Sequence, residues 1–297
     1  MTVVLWMRAL RLPFLTVSVL PYVFGTVIAP DSGDWYAFLL GLLVVAATHL
    51  SANLANDAGD AVSGADARDP AYYGFFGGAK LIQEGVLTVR GTAAAASVLA
   101  AIALVAGVGA LFWTGRPSLL LLLAAGLVLG GGYTLPPLKL GYRRLGELSV
   151  LFLFGPACVA GGAAMQGAAL AAPRIWVLSL PFGCLAASVL AANEVPDAET
   201  DALSAKQTLV TAVGAARGYT VYLAHVAAAV TVVLVSIAAG FLSWVGLGVL
   251  VVIPLALHAA AILHRHHGDK RALLASSRAA VAVHAVAGIF LVLAGML

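Results

Sequence analysis

Charge is scarce in this chain: of 297 residues only 10% are Asp, Glu, Lys or Arg, while 62% are apolar. A water-soluble domain carries roughly 25% charged residues, so the polar surface needed to cover this one is missing and it reads as an integral membrane protein. The same shortage excludes a long disordered chain and a nucleic-acid binder, and a net charge of +3 offers no basic surface to reverse that. Cysteine is almost absent. Cys158 and Cys184 both lie in apolar runs, where a thiol behaves as a small hydrophobe, which excludes a disulfide-stapled secreted domain. No Walker loop, Gly-x-Ser-x-Gly or His-Glu-x-x-His occurs, so soluble-type nucleotide, acyl-transfer and zinc-protease chemistry have no support.

What the chain does have is long charge-free runs. A membrane-crossing helix needs about 20 apolar residues, and uncharged stretches cover 12–30, 35–56, 91–115, 117–138, 148–173 and 175–193. The run 218–264 is about twice the length one crossing needs, so it must turn back, near Gly240 to Trp244. The residues after Arg278 supply a ninth span. The expectation is an all-α, polytopic membrane protein of nine transmembrane helices, a single domain over 1–297. Arg8 and Arg11 precede the first run as in a signal peptide, but its length and the eight spans behind it argue for a retained anchor.

Nine crossings put the termini on opposite sides. On the N-terminal side fall 14 of the 16 Lys and Arg, all but Arg116 and Arg174. Cytoplasmic loops are rich in these residues, so an inner-membrane protein is expected with its N-terminus and its basic loops cytoplasmic and its C-terminus opposite. Of the acids, only Asp31 and Asp34 fall on the other side.

The remaining acids are patterned. Asn53, Asp57 and Asp60 stand at i, i+4 and i+7 at the end of the second run, and Asn193, Asp197 and Asp201 at i, i+4 and i+8 at the end of the sixth. Each set is expected to share a helical face. Ionised carboxylates at a membrane surface are costly unless paired or bound to a cation. Two such faces aimed at each other would make a hard-oxygen site suited to Mg²⁺, which binds one or two carboxylates together with a substrate's phosphates. Their alternative is to end each helix in solvated acid.

A diphosphate would also need cations, and the loops supply them. Arg68 and Lys80 lie between the second and third runs among Gly64, Gly77 and Gly78, and Tyr133, Lys139, Arg143 and Arg144 lie around Pro136-Pro137. Arg11 and Lys206 flank the first run and the second acidic set. Ordinary positive-inside retention explains Arg143 and Arg144 equally well, and anchoring explains Arg11. Phe152 and Phe154 could offer an aromatic face to a carbocation or simply pack. Glu199 and Asp66 are candidate bases without further support. A cation transporter would keep its ionisable residues near the bilayer midplane, whereas these gather at one face.

The paired Asn/Asp motifs in nine apolar spans resemble the UbiA superfamily of intramembrane prenyltransferases. Arg11 through Thr16, Gly77 through Gly85, Tyr133 through Glu147, Gly155-Pro156 and Asp201 through Leu209 are similar to the branch that prenylates 1,4-dihydroxy-2-naphthoate in menaquinone synthesis. The resemblance implies a bundle around a central cavity open sideways to lipid, and transfer of a polyprenyl group from its diphosphate to an aromatic acceptor. It also implies Mg²⁺ held by Asn53, Asp57 and Asp60 on one side and by Asn193, Asp197 and Asp201 on the other. A different acceptor, such as 4-hydroxybenzoate, or cyclisation without an acceptor stays open. One stretch departs from the branch: its second motif commonly reads Asn-Asn-hydrophobic-Arg-Asp, and here it reads Asn193-Glu194-Val195-Pro196-Asp197.

Overall fold

A computed structural model describes residues 3–31, 33–64, 69–204 and 206–297. The chain is helical throughout, and an isolated bridge between Arg143 and Gln207 is the nearest approach to a sheet among the described residues. The helices are α1 (Val3–Ala9), α2 (Thr16–Val27), α3 (Trp35–Ser63), α4 (Val89–Thr114), α5 (Ser118–Gly131), α6 (Gly146–Phe152), α7 (Cys158–Met165), α8 (Pro173–Glu194), α9 (Ala198–Leu203), α10 (Leu209–Val213), α11 (Gly218–Ala238), α12 (Ile253–Arg265) and α13 (Lys270–Met296).

Their boundaries follow local chemistry. The Asp34 carboxylate accepts the Ala37 N–H to open α3, Thr88 accepts the Gly91 N–H to open α4, and Asp269 accepts the Arg271 and Ala272 N–H groups to open α13. Each caps a donor that the helix itself cannot satisfy. Gly64 and Gly115 close α3 and α4 in the left-handed conformation, as helix ends commonly do. The turn anticipated near Gly240 is present: α11 stops at Ala238, Gly240 has φ 71°, and a tight helix resumes at Trp244 and runs into α12.

Seven helical segments are long and apolar enough to cross a membrane, and eight if α1 with Leu12–Val27, bent by 52°, counts as one. The helix of the run 117–138 falls short of that length, so the expected nine are not all met by length and composition. Its helix α5 has only 14 residues, about 21 Å at 1.5 Å per residue against roughly 30 Å of hydrocarbon. Three consecutive glycines, Gly130 to Gly132, end it, and the rest of the run becomes the loop that carries Tyr133 and Thr134. The run 148–173 is also interrupted, by a wider π-type turn over Leu153–Ala157 that contains Pro156.

At the centre lies α8, with Phe182, Leu185 and Ala187 fully enclosed, packed by α2, α6, α11 and α13. Small residues set the closest crossing. A Cβ on Gly25 would lie 2.0 Å from the Val159 carbonyl oxygen, and one on Gly162 2.1 Å from that of Tyr22, so α2 and α7 meet backbone to backbone as membrane helices do at small residues. The outer face is apolar, with Phe112, Trp35 and Leu121 exposed, a surface that lipid rather than water covers. Arg8 and Arg11 sit beside the end of α3, whereas α13 starts at that end and runs its 27 residues, about 40 Å, to the other. The two ends of the described chain thus lie at opposite ends of the bundle.

Candidate active site

The C-terminal end of α3 and the α8–α9 junction open onto one cavity of about 240 Å³. Asn53, Asn56 and Asp60 line it from α3, and Asn193, Glu194, Asp197, Thr200 and Asp201 from α8 and α9. The segment after α3 contributes Asp69, Phe75, Phe76, Gly77, Gly78 and Lys80, and the remaining wall includes Arg11, Phe14, Tyr133 and Lys206. Towards the bundle interior a second, almost wholly apolar cavity of about 110 Å³ follows, sharing His49, Ala52, Gly130, Leu153 and Phe154 with the first.

Most of the anticipated residues therefore meet: Arg11, Asn53, Asp60, Lys80, Tyr133, Asn193, Asp197, Asp201 and Lys206 share the wall. Four do not. Asp57 is turned aside, ion-paired with the Arg11 guanidinium and close to the Ala79 N–H at 3.5 Å. In its stead Asn56, one residue earlier, faces the cavity, because an i, i+3, i+7 face is presented rather than i, i+4, i+7. Lys139 points its Nζ at the Tyr142 ring, 5.4 Å from its centre, and Arg143 is exposed, so neither reaches the cavity. Arg68 lies outside the described residues, as does Asp66. Glu199 is exposed and Phe152 is off the wall, while Phe154 is on it.

The acids are held by named partners. Asp60 receives the Tyr142 hydroxyl at 2.7 Å and the Asn56 amide at 3.1 Å, and the same amide donates to Thr134 at 2.5 Å. Lys206 lies 3.3 Å from Asp201. Lys270, at the first turn of α13, lies 2.6 Å from Asp69 and 3.5 Å from Asp197. Burial raises the Asp201 carboxyl to about 6, with Lys206 opposing and Asp197 adding to the shift. Burial likewise raises Asp197, against Lys270, Lys206 and Lys80. For Lys206 burial acts downward, and Asp201 and Asp60 more than reverse it, so the ammonium is held charged. Asn56, Asp69, Glu194 and Lys270 were not anticipated. An Asn beside an Asp at a helix end was a usable signal for the first, whereas Lys270 is 201 residues from Asp69 and nothing local announces the pair.

Among the described residues no group of three or more His, Cys, Asp or Glu is close enough to cage a metal ion. The donor set nonetheless fits Mg²⁺, which prefers few carboxylates and keeps open positions for phosphate and water. The Asn193 Oδ1 is buried and without a hydrogen-bond partner. Gly77, at φ 72°, keeps space clear: a Cβ there would stand 3.7 Å from both Asp197 Oδ1 and Lys80 Cε.

Residues 18–281 match the UbiA prenyltransferase family. The chain belongs to that family. It is 33% identical over 261 residues to 1,4-dihydroxy-2-naphthoate octaprenyltransferase of Mycobacterium leprae, covering 86% of this chain and 83% of the relative. It is 24% identical over 297 residues to 2-carboxy-1,4-naphthoquinone phytyltransferase of Synechocystis, covering 97% and 91%. A UbiA homolog from Archaeoglobus fulgidus, solved bound to GPP and Mg²⁺, superposes with a TM-score of 0.65 at 18% identity, covering 97% of this chain and 99% of that one. The apo UbiA homolog from Aeropyrum pernix gives 0.69 at 16% identity, covering 94% and 97%. The family member described here is a multi-pass membrane prenyltransferase.

Proposed function

We infer that this prenyltransferase moves a polyprenyl group from polyprenyl diphosphate to 1,4-dihydroxy-2-naphthoate in menaquinone synthesis. The observation that carries the reading is the single cavity onto which two oxygen-rich helix ends open, continued by an apolar pocket. Relatives named as naphthoate octaprenyltransferases support the acceptor, and the structures of a UbiA homolog with GPP or DMAPP and Mg²⁺ support the donor and the ion.

Asn53, Asp60, Asn193, Asp197 and Asp201 would hold Mg²⁺. When bound, the ion supplies charge neutralisation to the leaving diphosphate. The chain's own residues do the rest. Arg11, Lys80 and Lys206 line the head of the cavity, and fixed cations aimed at developing negative charge in a water-poor site stabilise it more than water does. The prenyl tail lies in the apolar pocket, which excludes the water that would otherwise quench an allylic cation. Phe14, Phe75, Phe76 and Phe154 line the first cavity, Phe154 being shared with the second, and ring faces favour a cation.

The charge bias supports an inner membrane with the cavity head and N-terminus cytoplasmic, since nine crossings put 14 of 16 Lys and Arg on that side, and the end of α13 opposite. The test is purified protein in nanodiscs with a labelled polyprenyl diphosphate, a panel of hydroxyaromatic acceptors, and Mg²⁺ or EDTA. Prenylated naphthoate formed with Mg²⁺ and lost with EDTA is expected. Product with 4-hydroxybenzoate alone, a cyclised hydrocarbon, or no product would each overturn the acceptor.

A further inference from the structure

We propose that Glu194 receives the aromatic acceptor, a side-chain carboxyl oxygen taking a hydrogen bond from a ring hydroxyl and so selecting substrates that carry one. The proposal rests on the transferase reading of this cavity and names a contact within it. Glu194 is the last residue of α8, only 5% exposed, and it lines the cavity. Both of its carboxylate oxygens are buried without a hydrogen-bond partner. Leaving such oxygens unsatisfied is costly, and the other acids on the same wall are not left so: Asp60 has Tyr142 and Asn56, Asp201 has Lys206, and Asp69 and Asp197 share Lys270. Asp201 Oδ2 makes no hydrogen bond but is ion-paired with Lys206, whereas both Glu194 oxygens lack a hydrogen-bond donor.

Glu147 of α6 is the protein group within hydrogen-bonding reach, but its Oε1 is occupied by the Leu209 N–H at 2.8 Å, and a single carboxyl–carboxyl contact leaves a second Glu194 oxygen without a donor. Glu194 stands one residue, about 100° of helix, from Asn193, on the side of α8 that meets Glu147 of α6. It looks towards Tyr133 and α6, where Val150, Leu153 and Leu190 make an apolar wall. An apolar wall that carries a hydrogen-bond acceptor suits a hydroxylated ring and no part of a diphosphate, which has only acceptors of its own.

Steady-state kinetics on the full chain in nanodiscs test this with wild type, Glu194→Leu and Glu194→Gln. Losing that hydrogen bond is expected to raise the KM for 1,4-dihydroxy-2-naphthoate about tenfold in Glu194→Leu. The KM for polyprenyl diphosphate and the Mg²⁺ half-activation are expected to stay within about twofold. Glu194→Gln keeps an acceptor oxygen and is expected to fall between, and it decides the matter by the same two KM values if the leucine variant does not fold. Wild type is expected to disfavour a mono-O-methylated acceptor, and Glu194→Leu to lose that preference. An unchanged acceptor KM, or a shift confined to the diphosphate KM or Mg²⁺ requirement, overturns the proposal while the transferase reading stands. Absence of product from wild type with every hydroxyaromatic overturns both.

Discussion

Arg11 and Asp57 illustrate how a single pair can redirect a motif. The spacing of Asn53, Asp57 and Asp60 describes a face, but which way that face looks depends on α1, whose end brings Arg11 onto Asp57. The two side chains then act as a unit, Asp57 fixing the guanidinium that Asn56 also touches at 3.3 Å. Activity losses from Asp57→Ala and Arg11→Leu are therefore expected to be non-additive: in a double-mutant cycle the double variant loses no more than about threefold beyond the worse single variant. Fully multiplicative losses would separate the roles.

Asp201 makes a second residue-level prediction. Its carboxyl titrates at about 6 instead of the ordinary 3.8, so between those values the folded protein holds a proton that the unfolded chain has released. Stability in EDTA is accordingly expected to fall as pH rises from about 3.8 to 6, the part contributed by the protonated carboxyl being lost through that window. Turnover runs the other way, since the ionised form is the one that serves the diphosphate site, and should rise through pH 6. Thermal melts and initial rates over pH 4 to 8 check both signs, and Asp201→Asn should flatten the stability trend.

Among the elements, charge-free intervals located most helices, and Gly240 marked the reversal inside 218–264, because both signals are local. The shortness of the helix in 117–138 has a local cause that hydropathy averages away: Gly130 to Gly132 end α5 although the residues stay apolar. What the site gains from distant partners was not legible at all. Lys270 reaches Asp69 and Asp197, and Tyr142 reaches Asp60, across separations that only the packed bundle closes. The α2–α7 crossing gives an element-level test. Gly162→Val must push α2 off α7 and is expected to cost about 1–3 kcal/mol or more, read as a lower melting temperature. Gly161→Val, with nothing within 4 Å of its Cβ, should melt like wild type; equal losses at both would remove the crossing as the cause.

For the whole molecule, the ends of α13 bracket the bundle, and orientation becomes measurable because the two native cysteines are buried. The single variants His267→Cys and Met296→Cys, both at exposed positions, should be labelled from opposite faces of inside-out and right-side-out vesicles by an impermeant maleimide. His267→Cys is expected to react only where the cytoplasmic face is outward. Labelling of both ends from one face would reverse or break the orientation inferred from the basic residues.

The shortness of α5 reaches beyond the protein. A 14-residue helix beside taller neighbours leaves a notch in the hydrophobic belt, next to Gly130 where the two cavities join. Lipid meeting such a mismatch thins locally, so headgroups dip towards the notch. A substrate that is itself an amphiphile, with a charged head and a long isoprenoid tail, is thereby carried part of the way down by the membrane's own deformation.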